Sequence, residues 1–294
     1  MTEPGAARIL EGGYRRYDGV RSGARGAVES VALHTAQRAL GLRRAARFKV
    51  LPVLAAVLAY VPAIVYAGLA VLLPGDLTEN GVLPTYAQYY FFITAAIVVF
   101  TAFVAPEVLC TDRRTGMIGL YLASPLTRTT YLVAKATAVL GVLAVVTLGP
   151  PLFLLLAYVL VGSGPDGPVS VAAFVLRIVA AGTLLSAFFG SLSMAVSSIT
   201  DRKAAASAAV VILLLLSAVV TNSLVEAAGA SPTLLLANLF ELPFEAVVRV
   251  FGEPSDNPEL GRLATPVVVG ATVAWTLAAS ALVWLRYRAL EVTR

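Results

Sequence analysis

Six long apolar segments are the feature that most constrains the fold of this chain. They lie at about residues 50–73, 87–106, 131–161, 171–199, 204–224 and 266–285. Each is close to or above the roughly 20 residues that a helix needs to cross a bilayer. Of the 294 residues, 59% are hydrophobic and only 13% are charged, about half the charged fraction of a soluble domain. The sequence therefore predicts an all-α polytopic membrane protein with six transmembrane helices.

The basic residues are distributed asymmetrically along the chain. Ten of the 22 Lys and Arg residues precede residue 50. If the N-terminus is cytoplasmic, only Arg177, Arg249 and Arg262 fall on the outer side. Because cytoplasmic loops are enriched in Lys and Arg, we predict a multi-pass protein of the plasma (inner) membrane with both termini in the cytoplasm. The net charge of +5 then indicates contact with anionic membrane lipid rather than with nucleic acid.

The segments that flank the six spans are expected to differ from one another. Residues 1–27 are rich in Gly and Arg and are predicted to be flexible. Residues 28–49 repeat small apolar side chains at helical spacing, which favours an interfacial elbow helix before the first span. A solvated cytoplasmic helix is the alternative. The six-span domain then covers residues 50–290, and residues 291–294 form a short cytoplasmic tail.

The longest predicted outward loop, residues 222–262, contains an apolar stretch that is too interrupted to span the membrane. Pro243 breaks this stretch, which also carries Glu241 and Glu245. We predict two short helices here, forming an extracytoplasmic helical hairpin before the last span. The two glutamates either line an exit path or belong to a solvated loop face.

Small residues repeat every four positions in the fourth apolar segment, at Gly182, Ser186 and Gly190. Stripes of this kind allow close approach of two helices in a membrane. The stripe is predicted to serve either helix packing within one subunit or the lining of a pathway. Pro150 and Pro151 predict a bend in the third segment.

The predicted cytoplasmic loop between the second and third spans, residues 107–135, is charged at its start and apolar in its middle. A short amphipathic helix is predicted at residues 115–123, followed by a turn at Ser124 and Pro125. Apolar side chains at an exposed tip indicate a partner surface. An ordinary basic loop is the alternative reading.

The same loop contains an acidic residue, an acidic–arginine pair, a glycine, a Ser-Pro-hydrophobic-Thr-Arg turn and a lysine that opens the next span. The residues are Glu107, Asp112, Arg113, Gly116, Ser124, Pro125, Arg128 and Lys135. This pattern resembles the signature of type-2 ABC exporter permeases. The elbow helix, the six spans and the hairpin are similar to that family over about residues 28–290.

The resemblance implies a mechanism and a set of partners. In such families the loop carries a coupling helix that sits in a groove of a separate ABC ATPase subunit, and the eight residues would form or support it. Asp112 and Arg113 would pair across that interface. The expected assembly is an exporter of two permeases, which are two copies or one copy with a similar sister chain, and two ATPases. MgATP would be bound by the ATPases.

Several other functions are weighed against transport driven by a partner ATPase. No G-x-x-x-x-G-K-[ST] motif occurs in the sequence, so this chain is expected to bind no cofactor. Neither H-E-x-x-H nor G-x-S-x-G occurs, and the single histidine, His34, precedes the spans, so no catalytic or metal-binding residue is predicted. A secondary transporter and a non-transporting membrane scaffold remain the alternatives. The apolar spans favour a lipid-like or amphiphilic substrate.

Overall fold

A computed structural model describes most of the chain. The described residues are 19, 23–42, 44–72 and 83–289, without the side chain of Arg47. The predicted flexible segment 1–27 lies outside the described residues up to residue 22, except for residue 19. The predicted tail 291–294 also lies outside them.

Helices make up the regular structure of the described residues, which contain no strand. The α-helices are α1 (Gly23–Ala39), α2 (Val50–Leu72), α3 (Tyr86–Phe92), α4 (Thr94–Arg114), α5 (Met117–Leu122), α6 (Arg128–Thr147), α7 (Gly149–Val161), α8 (Gly167–Ser197), α9 (Lys203–Asn222), α10 (Leu242–Phe251), α11 (Pro258–Gly261) and α12 (Thr265–Ala289). Shorter turns are 3₁₀ at Ala46–Phe48 and Pro232–Ala237, and π at Ser223–Ala227.

Six helical segments of the described chain are long and apolar enough to cross a membrane. They are Val50–Leu72, Thr94–Arg114, Arg128–Val161, Gly167–Ser197, Lys203–Ala227 and Thr265–Ala289. The predicted all-α, six-span fold is therefore confirmed.

The second span differs from the predicted range of 87–106. Residues 86–92 form the separate helix α3, which begins at a capping box on Thr85. The chain then bends at Ile93, and α4 continues past Pro106 to Arg114. Four charged residues predicted in a loop, Glu107, Asp112, Arg113 and Arg114, thus lie on a helix. Ion pairs with other segments of the chain satisfy the two carboxylates.

The third span consists of two helices rather than one. Helix α6 ends at Thr147 and α7 begins at Gly149, with Pro150 and Pro151 in its first turn. Proline fits there because the first N–H groups of a helix have no acceptor within the helix. The hydroxyl of Tyr60 on α2 donates to the Val145 carbonyl, 3.2 Å away, beside the break. The prolines thus interrupt the span where the sequence predicts a bend.

Helix α4 lies at the centre of the bundle. It contacts α2, α6, α8 and α9, and 67% of its most apolar stretch is buried. The corresponding fractions are 17% for the first span and 22% for the sixth, so other helices of the described chain cover little of these two spans. The functional groups on α4 are therefore enclosed by other helices of the same chain.

The small-residue stripe on α8 faces α6 within the same chain. A Cβ atom on Gly182 would lie 2.2 Å from a methyl carbon of Leu148, at the α6–α7 break. The Ser186 hydroxyl lies 2.7 Å from that of Thr147, and Gly190 faces Val139 and Leu143 of α6. This geometry corresponds to helix packing inside one subunit.

The segment before the last span folds into the 3₁₀ turn Pro232–Ala237 followed by α10 and α11. Pro243 lies in the first turn of α10, where it is compatible with the helix. Helix α10 packs against α8 and α12. Phe244 and Phe251 are among its buried residues. The end of the bundle that carries α10 is called the hairpin end below.

Helix α1 begins at Gly23 rather than at residue 28, and it stops at Ala39 rather than continuing to residue 49. Leu42 N–H donates to the Gln37 carbonyl and Gly41 N–H to that of Arg38, which together form a Schellman cap. Gly41 has a φ of +70°, and a Cβ atom there would lie 2.5 Å from the Phe48 carbonyl oxygen. Only glycine fits this turn, which directs the chain into α2.

Replacement of Gly41 by alanine is predicted to destabilise the protein by about 2 kcal/mol or more. A positive φ alone costs an alanine roughly 1–2 kcal/mol, and the contact with the Phe48 backbone adds to it. Gly162→Ala is the matched control, because Gly162 has a φ of +82° but open space around its Cβ position. Equal losses of unfolding free energy for the two variants, measured by SDS titration in mixed micelles, would show that the close approach contributes nothing.

Candidate functional site

A buried carboxylate, Asp112, lies at the end of α4 opposite the hairpin end. Its side chain is fully buried and contacts three partners from two other helices. Arg38 of α1 approaches Oδ1 at 2.8 Å. Lys135 of α6 approaches Oδ2 at 2.6 Å, and the Tyr131 hydroxyl donates to the same oxygen at 3.1 Å. A charge removed from water needs such partners, so Asp112 joins α1, α4 and α6.

Lys135 is itself completely buried. Besides Asp112, its ammonium group donates to the Thr35 hydroxyl of α1 at 2.9 Å. It also lies 5.0 Å from the ring centroid of Tyr121 and 5.4 Å from that of Tyr131. These contacts hold the cation between the elbow helix and the loop that contains α5.

Arg38 extends the contacts of α1 along α4. Its guanidinium group donates to the carbonyls of Glu107 and Val108, at 3.3 and 3.4 Å, as well as to Asp112. Burial favours the neutral form of Arg38, but the Asp112 carboxylate outweighs burial and raises the pKa of Arg38 above its usual value. Arg38 therefore stays charged and attaches the end of α1 to α4.

A second carboxylate, Glu107, precedes Asp112 on α4 and is 7% exposed. It forms ion pairs with Arg44, in the turn after α1, and with Lys203, the first residue of α9. The ion-pair cluster thus consists of Arg38, Arg44, Glu107, Asp112, Lys135 and Lys203. It holds four cations against two carboxylates and connects the elbow with the second, third and fifth spans.

Two further arginines connect the same end of the bundle to the fourth and sixth spans. Arg113 donates to the carbonyls of Ser198 and Thr200, after α8. Arg128, at the start of α6, donates to the Arg288 carbonyl of α12 at 2.6 Å. Asp112 and Arg113 therefore bind groups of their own chain.

Helix α5 protrudes from this end of the bundle. It is shorter than the predicted 115–123, because Gly116 precedes it with a φ of +67° in a left-handed turn. None of the described residues of α5 is buried, and Leu120 is 64% exposed. Ser124 and Pro125 follow it and are also exposed. Of the motif residues, Gly116, Ser124 and Pro125 therefore lie where another protein can contact them.

Tyr121 connects α5 with the ion-pair cluster. Its ring lies 5.5 Å from that of Tyr131, which in turn lies 6.1 Å from that of Tyr287 on α12. Burial and, to a lesser extent, the nearby Asp112 charge raise the pKa of Tyr121, so its hydroxyl remains neutral. A displacement of α5 would reach α6 and α12 through these rings.

Sequence reasoning did not identify Arg38, Arg44 and Lys203 as site residues. Each is distant in sequence from its carboxylate, and nothing local in the sequence pairs them. A signal was nevertheless present, because carboxylates within a span require cationic partners at the same depth. The basic residues that border the first and fifth spans were the available candidates.

The hairpin glutamates occupy a different place, at the hairpin end. Glu241 accepts hydrogen bonds from Asn222 and Asn257, and Glu245 accepts from Arg249 and Ser255. Both line a cavity of about 410 Å³. Within the described part of the chain, no group of three or more His, Cys, Asp or Glu residues could hold a metal ion.

Asp112→Asn is predicted to lower the free energy of unfolding by about 3–5 kcal/mol, because it leaves the buried Lys135 charge uncompensated. Adding Lys135→Met should recover part of this loss, since both partners are then uncharged. Glu29→Gln is the control, as it removes an exposed ion pair with Arg25, and should change the value little. SDS titration measures all three. A double variant no more stable than Asp112→Asn alone would contradict the assignment.

Comparison with known proteins bears on this geometry. No curated protein matches the chain. The family model described as ABC-2 family transporter protein matches residues 14–292, which include all six spans and the whole ion-pair cluster. The chain therefore belongs to the ABC-2 transporter family, whose members are the transmembrane components of ABC transporters.

Proposed function

We propose that this chain is the permease subunit of an ATP-driven exporter and receives force from a separate ATPase through α5. One observation carries the proposal: α5 presents the exposed Leu120 outward while Tyr121, its neighbour, contacts the ion-pair cluster. An apolar side chain at an aqueous tip favours a protein partner. The same short helix is thus suited both to contact a partner and to transmit its movement.

The path of that movement follows the contacts of the cluster. A push on α5 acts through Tyr121 on Tyr131 and Lys135 of α6. Lys135 holds Asp112 of α4, and Asp112 holds Arg38 of α1. Because these charges are buried and mutually satisfied, separating them is costly. The elbow, the second span and the third span would therefore move together as one body.

The proposed orientation places the ion-pair cluster and both termini in the cytoplasm. The basic residues support it, because Arg38, Arg44, Lys203, Arg286 and Arg288 all lie at the same end of the bundle as α5. The positive-inside rule assigns such an end to the cytoplasm. The protein would reside in the plasma (inner) membrane, and the hairpin would face outward.

The proposed assembly contains two permeases and two ATPases. The second permease is another copy of this chain or a similar sister chain, and together they would enclose the pathway on a two-fold axis. MgATP would be bound and hydrolysed by the ATPases. Purification from native membranes in mild detergent, with mass spectrometry of the co-eluting proteins, tests this assembly. Recovery of the chain without an ATPase, where other membrane complexes survive, would contradict it.

Leu120→Ser is predicted to reduce the ATPase recovered with the protein by about tenfold, which corresponds to roughly 1.4 kcal/mol of lost contact. The folded chain should be unaffected, because Leu120 is largely exposed. Val169→Ser is the matched control, since Val169 is 83% exposed at the opposite end of the bundle. If both variants retain the ATPase equally, α5 is not the docking element.

A further inference from the structure

A cavity of about 170 Å³ opens beside the ion-pair cluster, between α4, α2 and the turn that connects α1 to α2. Its polar side carries Arg38, Arg44, Glu107 and Lys203. Its other side is apolar and is formed by α1, the 3₁₀ turn Ala46–Phe48 and the first and second spans. The apolar lining residues are Ala39, Phe48, Leu51, Pro52, Val99, Phe100, Phe103 and Val104. A cavity of this kind suits a ligand with a charged end and an apolar body.

A second cavity continues from the first along α9. It measures about 550 Å³ and shares Phe103 and Lys203 with the first. The rest of its wall is nearly all apolar and includes Ala208 and Ile212 of the fifth span. The two cavities together form a groove, called the Lys203 groove. It has cationic side chains at one end and apolar side chains along the spans.

The charge in this groove is not balanced. Glu107 is the carboxylate among the described residues that line the first cavity, and it pairs with both Arg44 and Lys203. One carboxylate thus faces two cations, so one positive charge is uncompensated. Arg114 and Arg202 line an adjacent cavity together with Asp201 and Lys203, and they increase the surplus. The side chain of Lys203 is 42% exposed, so it can reach an incoming anion.

We propose that the Lys203 groove binds an anionic phospholipid. The phosphate would contact Lys203 and Arg44, and an acyl chain would lie along Phe103, Ala208 and Ile212. Charge complementarity favours an anion, and the apolar walls within three membrane spans favour one that carries a hydrocarbon chain. An acidic protein segment would satisfy the cations but not these walls. The inference goes beyond the proposed function and does not depend on an ATPase.

The charge is tested by titrating the detergent-purified chain with phosphatidylglycerol or phosphatidylcholine and counting bound lipid by native mass spectrometry. Lys203→Gln should weaken phosphatidylglycerol binding by about fivefold, the usual contribution of one cation near a membrane surface, and leave phosphatidylcholine binding unchanged. Arg286→Gln is the matched control, since it removes an exposed cation from the same end of the bundle, away from the groove. Equal affinity of the unaltered protein for the two lipids would overturn the proposal.

The apolar walls are tested without changing any charge. Ala208→Trp should fill the groove and lower phosphatidylglycerol binding by at least fivefold, whereas Ala209→Trp, at the neighbouring exposed position outside the groove, should not. Inorganic phosphate should not compete, because it lacks an acyl chain. Competition by phosphate at equal concentration, or equal effects of the two tryptophans, would overturn the lipid assignment.

A last comparison separates lipid from protein as the occupant. Lys203→Gln is also purified from native membranes. If it loses the ATPase while its phosphatidylglycerol affinity is unchanged, the groove serves a protein partner and the proposal is wrong. If it retains the ATPase and loses lipid affinity, the groove is a lipid site. Because the lipid titration uses the chain alone, failure of the proposed ATPase coupling would leave its result intact.

Discussion

The buried charge of Asp112 is the constraint on which the arrangement of this end of the bundle depends. A lone carboxylate inside a helical membrane protein is too costly to keep. It is stabilised here by Arg38 of α1 and Lys135 of α6, with Tyr131 completing its hydrogen bonds. Because the three charges come from three helices, none of these helices can move away without leaving a buried ion unpaired. Buried charges thereby attach α1 to the second and third spans.

Glu107 and Asp112 lie on the same helix but face different environments. Asp112 is completely enclosed, and one of its cations, Lys135, is enclosed as well. The partners of Glu107, Arg44 and Lys203, keep 29% and 42% of their side chains exposed. Since ion pairs open to solvent are much weaker than buried ones, the contact between Glu107 and α9 is easier to break. The Asp112 contacts are therefore more costly to separate than the Glu107 contacts.

The sequence predicts the number of spans, their order and the interruption at Pro150, because hydropathy and proline act locally. The separate helix 86–92 was not predicted, although the Thr85–Gln88 capping box that begins it is a local signal. That α4 continues to Arg114 was not predicted either, because its charged residues are satisfied by partners distant in sequence. Local sequence patterns likewise do not identify the cationic partners of the two carboxylates, because these partners are distant in sequence. Arg38, for example, precedes Asp112 by 74 residues. The stripe of Gly182, Ser186 and Gly190 could be recognised, but only the structure identifies α6 as the helix it contacts.

The geometry divides six of the eight residues of the family-like motif into two groups, while Arg113 and Arg128 donate to backbone carbonyls of their own chain. Glu107, Asp112 and Lys135 are buried and bind their own chain, whereas Gly116, Ser124 and Pro125 are exposed around α5. The buried charges of this motif hold α4 and α6 against each other. Because α5 connects these two helices, their arrangement determines where α5 protrudes. Substitution of a buried member is expected to act on folding and on the placement of α5. Under the proposed coupling, substitution of the exposed Ser124 or Pro125 would act on association, whereas Gly116, with a φ of +67°, would also be strained by any side chain. An experiment that measures only loss of transport would confuse the two, because a misplaced α5 and a damaged α5 fail alike.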